Sequence, residues 1–294
     1  MATVAFIGLG NMGGPMAANL VKAGHSVRGF DLLPQNLEMA RTNGIGIASN
    51  AVEACAQAEF VITMLPAGSH VLSVYEEIAP AANKGSLFID CSTIDVVSAR
   101  TAHAIAARHG HLSLDAPVSG GTAGAAAGTL TFMVGGSAEA FQRGEAILAP
   151  MAGKIVHCGA DGTGQAAKIC NNMILGISMI AVSEAFILAE KLGLSHQALF
   201  DVTSTSSGQC WSLTSYCPVP GPVPSSPANR DYKPGFATAL MLKDLKLAQE
   251  AARTAGAATP LGVHAKEIYE QFESRGHGGE DFSAIVKYLR QADL

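Results

Sequence analysis

Gly8-Leu9-Gly10-Asn11-Met12-Gly13 stands between a short apolar run, Thr3–Ile7, and a helical stretch that opens near Pro15. Strand, tight glycine turn and helix N-terminus, in that order, form a seat for a pyrophosphate. Gly8 permits the turn, Gly10 lets the backbone come close to the phosphates, and Gly13 lets helix and strand pack together. The phosphate oxygens then meet N–H groups at the start of a helix. A second apolar run, Ser26–Phe30, ends at Asp31, 18 residues beyond Gly13. A carboxylate at about that distance accepts hydrogen bonds from the adenosine ribose. It also repels a 2′-phosphate, which favours NAD over NADP. The alternative role for Asp31 is to cap the turn that follows it, and Arg28 on the same strand would soften the preference.

The rest of the first half repeats this alternation. Apolar runs at Phe60–Met64, Leu87–Cys91, Leu112–Val118, Leu130–Val134 and Lys154–His157 alternate with Ala-rich stretches such as Asn50–Ala58 and Ser98–His109. The pattern predicts a mostly parallel sheet with helices on both faces. From Gly164 onward strand runs give way to helices: Gln165 to Leu192 ending at Gly193, a short helix capped by Ser195, Leu240–Thr254, and one opened by Thr259-Pro260. A boundary inside Gly159–Gly164 therefore divides an α/β domain, residues 1–163, from an all-helical one, residues 164–294. Tyr216 to Pro234 holds six of the 13 prolines, so it is either an ordered irregular loop or a mobile lid.

Composition removes several alternatives. Only 15% of the 294 residues are charged and 48% are hydrophobic, enough to bury a large core. A net charge of −5 gives no basic footprint for nucleic acid. Met173 to Ala189 is the stretch nearest to a membrane span, but it carries Glu184 and two serines, and a buried helix is the better reading. The N-terminus has no basic leader, and the six cysteines are scattered without a CxxC, as expected of reduced thiols in a cytoplasmic protein. The histidines lack metal-ligand spacing, so no metal is expected.

Ligands of an open α/β sheet bind outside the carboxyl ends of its strands. That rule selects Leu65-Pro66 as an apolar ledge for a cofactor ring and Thr93 as a hydroxyl for cofactor or substrate. It also selects Ser119-Gly120-Gly121, where a hydroxyl and two bare N–H groups suit a carboxylate. Thr122–Gly128, which follows, is low enough in complexity to be a flexible linker. Lys168 and Asn172 lie four residues apart on one face of an otherwise apolar helix. A desolvated lysine can exchange a proton with a substrate hydroxyl. A lysine snorkelling from a helix end is the competing reading. Lys243-Asp244, read from its own surroundings, belongs to a solvated helix face.

Three segments, Gly8–Leu20, Asp115–Gly136 and Gly162–Met173, together resemble the β-hydroxyacid dehydrogenase family, and the likeness extends over essentially the whole chain. Ser206–Trp211, Tyr216 with Pro218–Gly221, and Lys243–Leu245 resemble the branch that acts on 3-hydroxyisobutyrate. The resemblance implies a Rossmann domain joined by a long interdomain helix to an all-α domain that forms homodimers or homotetramers. It implies NAD-dependent oxidation of 3-hydroxyisobutyrate to methylmalonate semialdehyde in valine breakdown. Tartronate or succinic semialdehyde and L-serine are alternative substrates; a silent NAD-binding regulator and an imine reductase are more distant alternatives. By position, it makes Lys168 the acid/base and gives Ser119, Gly120, Gly121 and Asn172 to the substrate, with Trp211 and Phe236 lining its pocket. It gives Leu65, Pro66, Thr93 and Lys243 to NAD, reversing the solvated reading of Lys243.

Overall fold

The computed structural model describes residues 1–291. The chain divides into two compact units, Met1–Lys168 and Ile169–Leu294.

The first unit is built on β1 (Thr3–Ile7), β2 (Ser26–Phe30), β3 (Gly46–Ile47), β4 (Phe60–Thr63), β5 (Leu87–Asp90), β6 (Leu112–Asp115), β7 (Val118–Ser119), β8 (Leu130–Gly135) and β9 (Ala152–Gly159). They form one sheet in the order β3-β2-β1-β4-β5-β6-β8-β7, with β9 beside β8. The first six strands pair in parallel, and their order is that of a Rossmann sheet. Strand order reverses between β1 and β4, which puts the topological switch point at the ends of those two strands. Side chains alternate across the sheet: Val4, Phe6, Ile62, Leu87 and Ile89 enter one core, and Ala5, Ile7, Val61 and Phe88 the other. Burial on both faces is why these strands read as unbroken apolar runs.

Three local expectations need correcting. Leu112–Val118 is not one strand: the pairing stops after Asp115, and Pro117 has no N–H to extend it. Val118 and Ser119 then pair antiparallel with Phe132 and Thr131, so the added β6–β8 and β7–β8 pairs depart from the parallel pattern. The two-residue β3 was not foreseen, being too short to show a period. Thr122–Gly128 is no linker: Gly121–Ala127 is helical and Gly128 closes it in the left-handed conformation.

The second unit contains only helices, 3-10 or π turns and one isolated bridge among its described residues. Its core joins Met179 and Phe186 of the Thr163–Lys191 helix to Met241 and Leu245, Tyr269 and Phe272, and Phe282 and Ile285. Ser195 caps the next helix by accepting the Ala198 N–H at 3.2 Å. Pro260 opens its helix as expected, but the Thr259 hydroxyl donates to Gln249 Oε1 at 2.9 Å and does not cap. The proline-rich loop is packed rather than extended into solvent. Cys217, Pro218, Val219, Val223, Ser226, Pro227, Ala228 and Tyr232 are buried, and Tyr232 Oη donates to the Pro218 carbonyl at 2.8 Å.

Candidate active site

The glycine loop sits at the carboxyl end of β1. Gly8 has φ +93° and donates its N–H to Phe30 at 2.9 Å; a Cβ there would strike the Met64 carbonyl at the end of β4. A Cβ on Gly13 would strike the carbonyl oxygen of Gly8. Gly10, in contrast, has open space within 4 Å of its Cβ position, the room a phosphate needs. The helix Gly13–Lys22 has no side-chain cap at Met12, which leaves its start suited to an anion. These features fit a dinucleotide. Leu9 is buried, Met12 half-buried and Asn11 exposed.

Asp31 does more than was expected of it. Oδ2 accepts the Leu9 N–H at 2.7 Å and Oδ1 accepts the Leu33 N–H at 2.8 Å. The capping alternative is therefore realised, and the same carboxylate also ties the glycine loop to β2. A carboxylate has about four acceptor positions, so capacity remains for a ribose. Arg28 is engaged by Glu53 at 2.6 Å. The Ser49 hydroxyl and amide, together with Arg28, hold the exposed Glu53 carboxyl down at about 2.

At the ends of β4 and β5 the loops are joined. Leu65, half-buried, donates its N–H to Ser92 Oγ at 2.8 Å, and Pro66 beside it is exposed. Ser92 Oγ donates to Asp90 Oδ1 at 2.6 Å, and Thr63 Oγ1 donates to the same oxygen at 2.7 Å. Burial pushes the Asp90 carboxyl up to about 6 against those stabilising bonds, and its Oδ2 has no hydrogen-bond partner. Thr93 is half-buried in this loop.

Ser119 is half-buried and Gly120 exposed. Gly120, with φ +136°, precedes the Gly121–Ala127 helix, and Asn19 of the glycine-loop helix donates to the Ala125 carbonyl at 2.8 Å. Lys168, at 6% exposure, is buried rather than snorkelling. The turn before it is anchored by Asp115, which accepts the Gly162 N–H at 2.8 Å and the Gln165 N–H at 2.9 Å. Gln165 Nε2 donates to the Ser92 carbonyl at 2.7 Å. The loop bearing Thr93 and the helix bearing Lys168 are thus bound to each other within the first unit.

The second unit carries the remaining residues. Asn172 is buried at 1% exposure and donates Nδ2 to Asp244 Oδ2 at 2.5 Å. Asp244 is itself buried, and Lys243, half-exposed, has its Nζ 3.9 Å from Asp244 Oδ1. The solvated reading of Lys243-Asp244 fails for the aspartate, whose place could have been found: Met241, Asp244, Leu245 and Ala248 fall on one buried face. Trp211, half-exposed, stacks on Tyr216 with centroids 4.8 Å apart, and Tyr216 stacks on Phe282 at 5.4 Å. Phe236 meets Phe282 edge-on at 5.7 Å, so the two foreseen lining residues are linked through two that were not. Asp281, also unforeseen, orders this group: its Oδ2 accepts Tyr216 Oη at 2.8 Å and the N–H groups of Gly235 and Phe236 at 2.9 and 3.1 Å. Burial first, and Asp281 second, push the Tyr216 phenol up.

Residues 3–159 match the family described as the NAD binding domain of 6-phosphogluconate dehydrogenase. Residues 162–289 match the one described as NAD-binding of NADP-dependent 3-hydroxyisobutyrate dehydrogenase. A probable 3-hydroxyisobutyrate dehydrogenase of Mycobacterium tuberculosis is 57% identical over 290 residues, covering 99% of this chain and 98% of that one. The solved structure of Mycobacterium tuberculosis 3-hydroxyisobutyrate dehydrogenase with L-serine superposes with a TM-score of 0.96, at 57% identity and covering 99% of both chains. An NAD-dependent L-serine dehydrogenase of Pseudomonas aeruginosa is 46% identical over 294 residues, covering 98% of this chain and 97% of that one. A glycine loop stapled by Asp31, a buried lysine one turn into a long helix, and likeness along nearly the full length agree: this chain belongs to the 3-hydroxyisobutyrate dehydrogenase family of NAD-dependent oxidoreductases.

Proposed function

We propose that this member of the family oxidises (S)-3-hydroxyisobutyrate to methylmalonate semialdehyde, the reaction that valine breakdown requires. The observation that carries the proton-transfer part is Lys168, buried at 6% exposure one turn into a helix whose start is bonded to the loop after β5. Bound NAD supplies the hydride acceptor. Ser119 and the N–H groups of Gly120 and Gly121 hold the substrate carboxylate, and Asn172 orients the hydroxyl. The neutral Lys168 amine takes the hydroxyl proton as the C3–H bond breaks and the C3–O bond becomes a carbonyl. Asp31, at the end of β2, favours NAD over NADP because a carboxylate there accepts from ribose hydroxyls and repels a 2′-phosphate.

L-serine is the second reading, favoured by the relative named for it and by the solved relative that holds it. Both acids carry a CH₂OH as C3, two carbons along from the carboxylate carbon, so the same groups serve either. They differ at C2, methyl against ammonium. Initial rates on 3-hydroxyisobutyrate, L-serine and the reduced partners of tartronate and succinic semialdehyde, each with NAD and NADP, decide between them. A higher kcat/KM on L-serine than on 3-hydroxyisobutyrate overturns the proposal.

Ile174, Leu188 and Leu192 are exposed on the Thr163–Lys191 helix or just beyond it, with exposed Ala181 and Ala185 between them. The spacing of seven, four, three and four makes one helical stripe, which suits a second copy of this chain. A homo-oligomer is therefore part of the proposal, with sedimentation velocity as its test. Six free cysteines, three of them buried, support a reducing, cytoplasmic location.

A further inference from the structure

We propose that Gln165 is a positioning residue for proton transfer: it locks the first turn of the Thr163–Lys191 helix to the loop after β5 and so fixes where Lys168 stands relative to Thr93. The proposal rests on Lys168 as the acid/base.

Gln165 has 0% exposure, and both ends of its amide are used. Oε1 accepts the Ile94 N–H at 3.1 Å, and Nε2 donates to the Ser92 carbonyl at 2.7 Å. The two bonded residues flank Thr93, so the amide spans the backbone on either side of it. The Gln165 N–H goes to Asp115 Oδ2, while Asp115 Oδ1 takes the Gly162 N–H and lies 3.0 Å from His103 Nε2. A single line of hydrogen bonds thus runs from the Leu65 N–H through Ser92 and Gln165 to Asp115. It joins the loops after β4 and β5 and the last residue of β6 to one turn of helix. Lys168 is the next residue along that face, three positions on.

Misplacing a reacting group by about 1 Å can lower a rate about a hundredfold without weakening binding. That split separates positioning from plain structural support. Two substitutions exploit the chemistry of the amide. Gln165→Met keeps the length of the side chain but makes neither bond. Gln165→Glu reproduces both while protonated: its carbonyl oxygen accepts from Ile94 and its O–H donates to Ser92. Once ionised, it sets a negative oxygen against the Ser92 carbonyl and the donor is lost. The charged and titratable groups around it are Asp115 on β6, Asp90 at the end of β5, His103 on the Val96–Arg108 helix, Asp161 in the turn before the long helix, and Lys168 on its own helix. Burial and the neighbouring carboxylates favour the protonated form.

The test compares wild type, Q165E, Q165M and K168A across the stable pH range. It measures kcat, NAD binding by calorimetry, and the melting temperature of each protein without cofactor. Q165M is expected to lose about tenfold or more in kcat with NAD affinity changed less than about threefold. Q165E is expected to approach wild-type kcat at the acidic end and to fall about tenfold below it at the alkaline end, its melting temperature falling in parallel. A Q165M kcat within about twofold of wild type, or a Q165E to wild-type ratio that does not change with pH, overturns the proposal. Should Q165M not fold, the Q165E ratio decides alone. Turnover retained by K168A overturns the reading of Lys168 itself, so the two failures are told apart.

Discussion

Asn172 gives its side-chain N–H to the carboxylate of Asp244 at 2.5 Å, and both residues are buried. The pair joins the Thr163–Lys191 helix to the Thr238–Ala255 helix, 72 residues further along the chain. Asn172→Ala removes a donor from a buried carboxylate, which costs about 1–3 kcal/mol. Urea denaturation of the two proteins is expected to show that loss; a difference below about 0.5 kcal/mol would count against the bond.

Lys168→Ala should lower kcat by about 10²- to 10⁴-fold, the usual contribution of a general base. NAD affinity, measured by calorimetry, should stay near that of the wild type. Near-normal turnover in this variant would refute the assignment.

Asp31→Ala removes the acceptor of both the Leu9 and Leu33 N–H groups. The expected result is a KM for NAD raised by about tenfold, corresponding to roughly 1.4 kcal/mol, and a narrower preference over NADP. Steady-state kinetics with both cofactors check this. An unchanged NAD to NADP ratio would show that the carboxylate serves the loop alone.

Asp90 gives the stability of the protein a pH dependence of definite sign. Its carboxyl rises to about 6 on folding, so the folded state holds the proton more tightly than the unfolded one. Its contribution is most favourable below the unfolded value and is lost as pH rises through about 6. Between pH 7 and pH 5 the wild type should gain about 1 kcal/mol relative to Asp90→Asn. Denaturation midpoints at those two pH values test it; a gap that widens in the opposite direction refutes it.

Asp281→Ala strips acceptors from Tyr216, Gly235, Phe236 and Ser283 together. A loss of about 3 kcal/mol is expected, since two buried Ser283 donors and three partly buried ones lose their acceptor together. Tyr216→Phe, which removes one bond, should lose about 1 kcal/mol. Equal losses for the two variants would mean that the backbone contacts contribute nothing.

What could be read from the sequence and what could not follow from where each signal resides. β1 was placed to the residue because two-sided burial writes an almost unbroken apolar run into the chain, and β2 because Val27 and Gly29 alternate with exposed Ser26 and Arg28. The Gly8 and Gly13 constraints were legible because a glycine turn and its strand are neighbours in sequence. Asp31 was found at its position, but its bond to Leu9 was not, since nothing local marks an acceptor 22 residues away. β8 was found as an apolar run, but its antiparallel pairing with β6 and β7 was hidden because pairing direction has no local signature. Asp281 and Gln165 were missed for a related reason: each is a polar residue whose role is set by partners from distant segments. Asp244 is the exception, lying on an apolar stripe that could have exposed it.

Trp211 is the single tryptophan of the chain, half in solvent and stacked against Tyr216. Its emission therefore reports from one place, the edge of the aromatic ladder ordered by Asp281, with no background from elsewhere in the molecule. The protein carries its own optical probe of that loop, and ligand titrations there can be followed without attaching a dye.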